Sequence, residues 1–267
     1  MIIDLRGRVA IITGAAQGLA RGTALRLAEE GVHLILADIV EDRLEQTWAE
    51  VQARHPANEG FFRKVDVVST EQVDRLVDDT VEKLGRIDIM FNCAGVVQPE
   101  LAFADTPDAV WERTVDINQR GVFNGIRAAS RVMRKQRHGV IINTASWWGK
   151  SGHAYFGTYC ATKSAVISMT QTAALELAEF GVRVNAISPG NMMTEMHWHH
   201  AREEARRRGE GWTPEQVSEE IRLSVPLLRV GTADDIANAV IFLASELSSY
   251  TTGHNLDVNG GCDVHSW

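Results

Sequence analysis

The stretch Val9-Ala-Ile-Ile-Thr-Gly-Ala-Ala-Gln-Gly-Leu-Ala20 decides the fold class of this chain. Its first five residues are apolar or β-branched and predict a buried strand, and the residues from Gly22 to Glu30 have the apolar spacing of a helix. The glycines between them allow a tight turn in which main-chain N–H groups can approach a pyrophosphate. The stretch therefore predicts a strand, a phosphate-binding turn and a helix.

Outward from this stretch, short apolar runs alternate with helical segments, which is typical of parallel strands joined by crossover helices. The predicted strands are 9–13, 32–37, 61–65, 87–91, 140–143 and 182–187. The predicted helices include 22–30, 42–54, 70–83 and 108–135. We expect one domain over residues 1–267, a doubly wound (Rossmann) α/β parallel sheet with helices on both faces.

The region from Asn191 to Leu227 breaks this alternation, because Met-, Trp- and His-rich sequence is followed by the charged run 201–209. Its length predicts a helical substrate lid inserted into the sheet domain. Two interpretations of its arginines stay open. They form a solvated helix face, with Glu203 and Arg207 as an i,i+4 pair, or they bind a substrate phosphate.

Composition excludes several classes of protein. The formal net charge of -8 argues against nucleic-acid binding, and the absence of an apolar run of 18 or more residues argues against a membrane protein. The three cysteines are scattered, so neither a disulfide framework nor a metal site is predicted. We expect a cytoplasmic protein.

A carboxylate at the end of the second predicted strand indicates which dinucleotide binds. Asp38 would accept hydrogen bonds from an adenosine ribose and would repel a 2'-phosphate. Ile39 follows it and Gln17 lies in the turn, so neither place offers the arginine or lysine that a 2'-phosphate needs. The predicted cofactor is NAD.

A second group of residues predicts the chemistry. Tyr159 and Lys163 are four residues apart on a predicted helix, Ser146 leaves the fifth strand, and Asn118 lies upstream. Free tyrosine titrates near pH 10, so a tyrosine base must be made more acidic. A cation at about 4 Å supplies about 4 kcal/mol at an effective dielectric of about 20. We expect Lys163 to lower the pKa of Tyr159, and Ser146 to position the substrate oxygen.

These motifs resemble those of the short-chain dehydrogenase/reductase family, over essentially the whole chain. Thr13, Gly14 and Gly18 match the family's TGxxxGxG turn, in which Ala20 replaces the third glycine. The resemblance implies a set of cofactor-binding residues along the chain. They are Gly14, Gln17, Gly18, Leu19, Asp38, Ile39, Asp66, Val67, Asn92, Ala94, Gly95, Tyr159, Lys163, Pro189, Gly190, Met192 and Thr194.

The resemblance also implies roles outside the cofactor site. Asn118 would hold a water that relays protons from Lys163, which makes Asn118, Ser146, Tyr159 and Lys163 the catalytic set. Cys93 replaces an asparagine that is common in the family, and we interpret it as buried packing. The C-terminal segment 256–261 resembles the family's last strand, which implies a homotetramer.

The predicted surroundings of Tyr159 combine aromatic and hydrogen-bonding groups, which suits a polyol or sugar. They include Gln98, Trp147 and the residues expected to contact substrate, namely Ser146, Trp148, His153, Tyr159 and Asn191. The helix that begins at Tyr159 resembles that of the polyol dehydrogenase branch, including sorbitol dehydrogenases. We therefore expect oxidation of a sugar alcohol to a ketose.

Alternative interpretations remain at this point. The substrate is a 3-oxoacyl thioester, a small diketone or a sugar phosphate, or the chain is a sensor that binds dinucleotide without catalysis. Intact Ser146, Tyr159 and Lys163 argue against a sensor. The two tryptophans can instead pack in the core, and the lid histidines, His197, His199 and His200, are surface or interface residues more often than metal ligands.

Overall fold

The computed structural model describes residues 4–264, which form a parallel sheet in the order β3-β2-β1-β4-β5-β6-β7. The strands are β1 (Val9–Thr13), β2 (His33–Asp38), β3 (Phe61–Lys64), β4 (Ile89–Asn92), β5 (Gly139–Thr144), β6 (Val182–Pro189) and β7 (Asn255–Val258). The helices within these residues are α1 (Gly18–Glu29), α2 (Glu41–Arg54), α3 (Thr70–Leu84), α4 (Asp108–Val115), α5 (Gly121–Gln136), α6 (Gly157–Leu177), α7 (Glu195–Arg208), α8 (Pro214–Ser224) and α9 (Ala233–Ala244).

Two buried apolar clusters lie on the two faces of this sheet, and β1 contributes alternate residues to both. Strand order reverses between β1, which pairs with β2, and β4, which pairs with β5. In open parallel sheets, ligands bind outside the carboxyl ends of the strands at such a reversal. The predicted single-domain doubly wound fold is confirmed. Among residues 4–264, no helix combines the length and apolar character that a membrane crossing requires.

Two elements start two or more residues away from their predicted starts. β4 starts at Ile89 rather than residue 87, because the buried carboxylate of Asp88 accepts a hydrogen bond from the Val9 N–H at 2.9 Å. α1 starts at Gly18 rather than Gly22, so the last glycine of the turn is also the first residue of the helix.

The segment predicted as one helix over 108–135 contains an irregular turn. α4 continues through a π-helical turn, Asp116–Arg120, into α5. Such turns are rare and often mark functional sites. This one places the side chain of Asn118, which is fully buried, under the loop that follows β4.

The edge of the sheet that carries Asp38 depends on a close contact between β2 and the start of β3. Asn58 accepts hydrogen bonds from the N–H groups of Leu34 at 3.1 Å and Gly60 at 2.9 Å. A Cβ on Gly60 would lie 1.8 Å from the Leu34 carbonyl oxygen. Because strand pairing fixes the main chain of both residues, this contact leaves no room for a side chain at Gly60.

We expect Gly60→Ala to lower the free energy of unfolding by about 1–3 kcal/mol, since overpacking forces the main chain apart. Gly152→Ala is the control, because nothing lies within 4 Å of its added Cβ. Urea denaturation of both variants measures the difference. Equal stability of the two would contradict the close contact between β2 and β3.

Candidate active site

The glycine-rich turn fits tightly against the end of β4. Gly14 has φ +75°, and a Cβ there would lie 2.8 Å from Ala94 Cα. The Thr13 hydroxyl accepts hydrogen bonds from the N–H groups of Cys93 at 3.1 Å and Ala94 at 3.2 Å. The ends of β1 and β4 are therefore locked together, and a side chain at Gly14 would separate them.

The N-terminus of α1 retains free hydrogen-bond donors. Its N-cap residue, Gln17, makes no side-chain capping hydrogen bond, so first-turn N–H groups stay available to an anion. Thr194 lies opposite, with its Cγ2 4.0 Å from a Cβ built on Gly18. Leu19 packs against the core and Ala20 is buried, so the extra methyl of Ala20 is accommodated. These residues fit the pyrophosphate of a dinucleotide.

Asp38 supports the turn from the end of β2. Its carboxylate accepts hydrogen bonds from the N–H groups of Ala16 at 3.0 Å and Val40 at 2.9 Å, and Ile39 beside it is exposed. Positions 17 and 39 carry no basic side chain, as noted from the sequence, but Arg43 of α2 reaches this place and donates to Gln17 Oε1 at 2.5 Å. Its position in the first turn of α2 was the sequence signal.

The loop after β4 forms the next wall of the site. A Cβ on Gly95 would lie 3.2 Å from Asn118 Oδ1 and 3.5 Å from Lys163 Nζ, so glycine keeps this cleft open. Asn92 is buried and donates to Asn143 Oδ1 at 2.9 Å, while its own Oδ1 has no partner. Its side chain joins β4 to β5 beneath the cleft.

The remaining residues of the implied cofactor set frame the cleft on two sides. Val67 is buried and held by the Asn124 amide at 2.9 Å, and Asp66 accepts from the Val68 N–H at 3.0 Å. On the other side, β6 ends at Pro189, Gly190 donates to the Val258 carbonyl at 3.1 Å, and Met192 is buried in the core.

The three residues of the predicted catalytic trio lie on adjoining segments. Ser146 lies two residues beyond the end of β5, where its hydroxyl accepts the Trp148 N–H at 3.2 Å. Lys163 Nζ donates to the Thr144 carbonyl at 2.7 Å and lies 5.6 Å from the centre of the Tyr159 ring. Ser164 donates to the Gly149 carbonyl at 2.7 Å, which fixes the segment after Ser146 to α6.

Burial determines the titration of both groups. It raises the pKa of Tyr159 to about 12, against the opposing effect of the Ser146 hydrogen bond. It lowers the pKa of Lys163 to about 8, against the opposing effect of Cys93. The expectation that Lys163 acidifies Tyr159 is not met by these residues alone, because desolvation penalises the charged form of each.

The side chain of Asn118 is occupied by main chain. Its amide accepts from the Val96 N–H and donates to the Val96 carbonyl, both at 2.8 Å, and also donates to Thr162 Oγ1 at 3.3 Å. Both amide protons are therefore used. These contacts hold the loop after β4 in place.

A cluster of aromatic side chains packs beside Tyr159. Trp148 stacks on His153 at 4.5 Å between ring centres and meets Tyr159 edge-on at 6.0 Å. Phe156 lies 4.8 Å from Trp148 and 6.3 Å from His200 of α7. Both tryptophans are half-buried, so the interpretation that they pack in the core was wrong, and Phe156 and His200 are members that the sequence did not reveal.

The segment 191–227, predicted as a lid, contains α7 and α8, which are joined by a buried hydrogen bond between His197 Nε2 and Ser218 Oγ at 2.8 Å. His197 is therefore an internal residue, not a surface one. Asn191, expected at the substrate, has its amide 3.9 Å from Cys262 Sγ instead. Within residues 4–264, no group of three or more His, Cys, Asp or Glu side chains could hold a metal ion.

The charged face of α7 is paired differently from the prediction. Glu203 pairs with Arg206 at 2.5 Å rather than with Arg207. Glu204 is nearly buried and receives both Arg207 at 2.8 Å and Arg208 at 2.6 Å. Packing of α7 against α8 turns Glu204 inward, and its burial draws the two arginines to it.

The buried ammonium of Lys163 gives stability a measurable pH dependence. The unfolded lysine titrates near pH 10.4 and the folded one at about 8, so between these values the unfolded state binds more protons and stability rises with pH. Relative to Lys163→Met, the wild type should gain about 2 kcal/mol in its free energy of unfolding from about pH 8 to about pH 10. Urea denaturation without dinucleotide measures it, and parallel pH curves would contradict the burial.

Comparison with known proteins agrees with this geometry. A family model described as Enoyl-(Acyl carrier protein) reductase matches residues 14–263. Levodione reductase of Leifsonia aquatica is 36% identical over 95% of this chain and 93% of its own length. The 3-oxoacyl-(acyl-carrier-protein) reductase FabG of Thermotoga maritima is also 36% identical, over 96% of this chain and 98% of its own length.

Solved structures give the same result. NAD+-bound xylitol dehydrogenase superposes with a TM-score of 0.90 at 38% identity, covering 96% of this chain and 99% of that one. Carveol dehydrogenase from Mycobacterium avium in complex with NAD has a TM-score of 0.93 at 32% identity, covering 99% and 100%. The chain therefore belongs to the short-chain dehydrogenase/reductase family, as an oxidoreductase that acts on an alcohol and ketone pair.

Proposed function

We propose that this enzyme interconverts a secondary alcohol of a polyol and the corresponding ketose, with NAD as the hydride carrier. The observation that carries the proposal is the aromatic cluster against Tyr159, in which ring faces are combined with the imidazoles of His153 and His200. Aromatic faces pack against the C–H groups of a small polyol, and imidazoles pair with its hydroxyls. The 38% identity to a xylitol dehydrogenase supports this substrate class.

The trio gives each residue a defined task. When bound, the dinucleotide supplies the hydride acceptor or donor and, in its oxidised form, a positive charge. Tyr159 takes the hydroxyl proton of the alcohol during oxidation and returns it to the ketone oxygen during reduction. Ser146 hydrogen-bonds the same oxygen and fixes its position, while Lys163 holds the Tyr159 segment against β5 and faces the cleft at Gly95.

Two features support NAD as the cofactor. Asp38 places a carboxylate at the end of β2, where it would repel a 2'-phosphate. Arg43 lies close by, but it is engaged with Gln17. Two structural relatives, a xylitol dehydrogenase and a carveol dehydrogenase, carry NAD.

The lid favours an unphosphorylated substrate. Each arginine of α7 already has a carboxylate partner, since Arg202 pairs with Glu195 and the other three pair with Glu203 or Glu204. A substrate phosphate would have to displace one of these carboxylates. This pairing argues against the sugar-phosphate alternative.

A second candidate keeps the chemistry and changes the substrate to a small diketone or a 3-oxoacyl thioester. It is favoured by the apolar side chains Trp148 and Phe156 at the cleft and by the two relatives at 36% identity, a levodione reductase and a 3-oxoacyl reductase. A sensor without catalysis has no use for a Ser146 hydroxyl beside Tyr159.

We also propose a cytoplasmic homotetramer. The cysteines within residues 4–264 are all unpaired, which suits a reducing compartment. Exposed apolar side chains on α4, α5 and α6, namely Trp111, Phe123 and Leu175, are suited to burial between subunits.

A substrate panel tests the function. Xylitol, sorbitol, sorbitol 6-phosphate, a cyclic diketone and acetoacetyl-coenzyme A are each assayed with NAD(H) and NADP(H), at about pH 7 and about pH 9. We expect the highest kcat/KM for an unphosphorylated polyol with NAD, with oxidation faster at the higher pH because the phenol must lose its proton. Preference for NADP, or turnover of ketones without any polyol, would reject that part of the proposal.

Tyr159→Phe tests the base. We expect turnover to fall by at least about 10³-fold, since the proton acceptor is lost, whereas the Kd for NAD measured by calorimetry stays within about twofold. Tyr155→Phe is the control, because Tyr155 is exposed and its carbonyl, not its phenol, makes the local hydrogen bonds. Retained activity in Tyr159→Phe would remove Tyr159 from the mechanism.

A further inference from the structure

Gln98 is a buried side chain with 4% of its surface exposed, in the loop after β4. Its Oε1 accepts the main-chain N–H of Tyr159 at 2.7 Å, and its Nε2 donates to the Tyr155 carbonyl at 3.2 Å. Both polar ends of the side chain are therefore used by main chain of another segment. The sequence placed Gln98 near substrate, but the structure places it against the helix that carries the base.

α6 needs this contact because it starts without a cap of its own. Its N-cap residue is Phe156, which has no side-chain acceptor, and the first N–H groups of a helix have no partner within the helix. The N–H of Tyr159, the third residue of α6, is one of these groups. Gln98 supplies the missing acceptor from a different part of the chain.

The same loop controls where α6 begins. Tyr155 has φ +69°, in the left-handed region that non-glycine residues seldom adopt. Its carbonyl is held by Gln98 and by the Leu101 N–H at 3.0 Å. A Cβ on Gly157 would lie 2.2 Å from the ring of Phe103. The loop therefore fixes the residues on both sides of the N-cap.

The other end of this loop is anchored in the catalytic cleft. Val96 is held by the amide of Asn118 through two hydrogen bonds of 2.8 Å, and Gly95 faces Lys163. Gln98 follows two residues after Val96. A rigid connection thus runs from the buried Asn118 to the main chain of Tyr159.

We propose that Gln98 is a positioning residue for catalysis, which holds the Tyr159 phenol in register with Ser146 by fixing the first turn of α6. The inference depends on the proposed role of Tyr159 as base. Misplacement of a reacting group by about 1 Å costs about 10²-fold in rate. Loss of Gln98 should therefore act on the rate of reaction more than on binding.

The test variant is Gln98→Met, which keeps the volume and removes both hydrogen bonds. With the fastest substrate of the panel, we expect kcat to fall by about 10- to 100-fold, with KM within about threefold and the Kd for NAD within about twofold. The rise of kcat with pH should move to higher pH, because Tyr159 loses the Ser146 contact that lowers its pKa. The neighbouring titratable groups Lys163, Cys93, Cys160 and His153 are unchanged.

Gln136→Met is the matched control. Gln136 also joins main chain at both ends, accepting the Ile87 N–H at 3.0 Å and donating to the Ile87 carbonyl at 2.8 Å, but it lies at the opposite end of β4. It should lose stability comparable to that lost by Gln98→Met, with unchanged kcat and pH profile. If Gln98→Met does not fold, the neutral variant Gln98→Asn replaces it, because its shorter side chain cannot hold both main-chain partners, and its kcat profile should move in the same direction.

The outcomes separate the two proposals. A kcat within about twofold of wild type in Gln98→Met, or an equal loss in Gln136→Met, would overturn the positioning role. An unshifted profile in Gln98→Asn, if that variant replaces Gln98→Met, would also overturn it. Tyr159→Phe is measured beside them. If Tyr159→Phe is active, the proposed base is wrong, whereas an inactive Tyr159→Phe beside a normal Gln98→Met rejects the positioning role alone.

Discussion

The site depends on one buried cation. Lys163 has 4% of its surface exposed and donates to the Thr144 carbonyl at the end of β5. A buried ammonium is costly unless it is hydrogen-bonded, so the carbonyl ends of the strand must face it and α6 must lie against β5. Glycine at 149 and at 95 is what allows main chain to come this close to Lys163.

Around this cation, buried amide side chains join different segments of the chain. Asn118 clamps Val96, Asn92 joins Asn143, and Gln98 caps Tyr159. Each buried amide satisfies partners on a different segment, and leaving such partners unpaired would be costly. The cofactor cleft and the base are therefore parts of one hydrogen-bonded unit, whose rigidity serves a reaction that depends on short distances.

The aromatic cluster beside Tyr159 is built from a less regular part of the molecule. Trp148 and His153 come from the segment between β5 and α6, whereas His200 comes from α7 in the lid. Phe156 contacts both Trp148 and His200, so the shape of the cleft depends on how α7 packs. Each arginine of α7 is paired with a carboxylate of the same helix.

The sequence by itself determined the doubly wound fold, because strand and helix periodicities and the turn at residues 13–20 are local properties. It also determined that a serine, a tyrosine and a lysine meet. Only the tertiary structure decided the direction of their pKa shifts, since burial raises the pKa of Tyr159 and lowers that of Lys163. It also decided that Arg43 reaches the turn and that Gln98 caps α6. The two residues of each contact are 26 positions apart in the first case and 61 in the second. No local sequence pattern encodes such pairings.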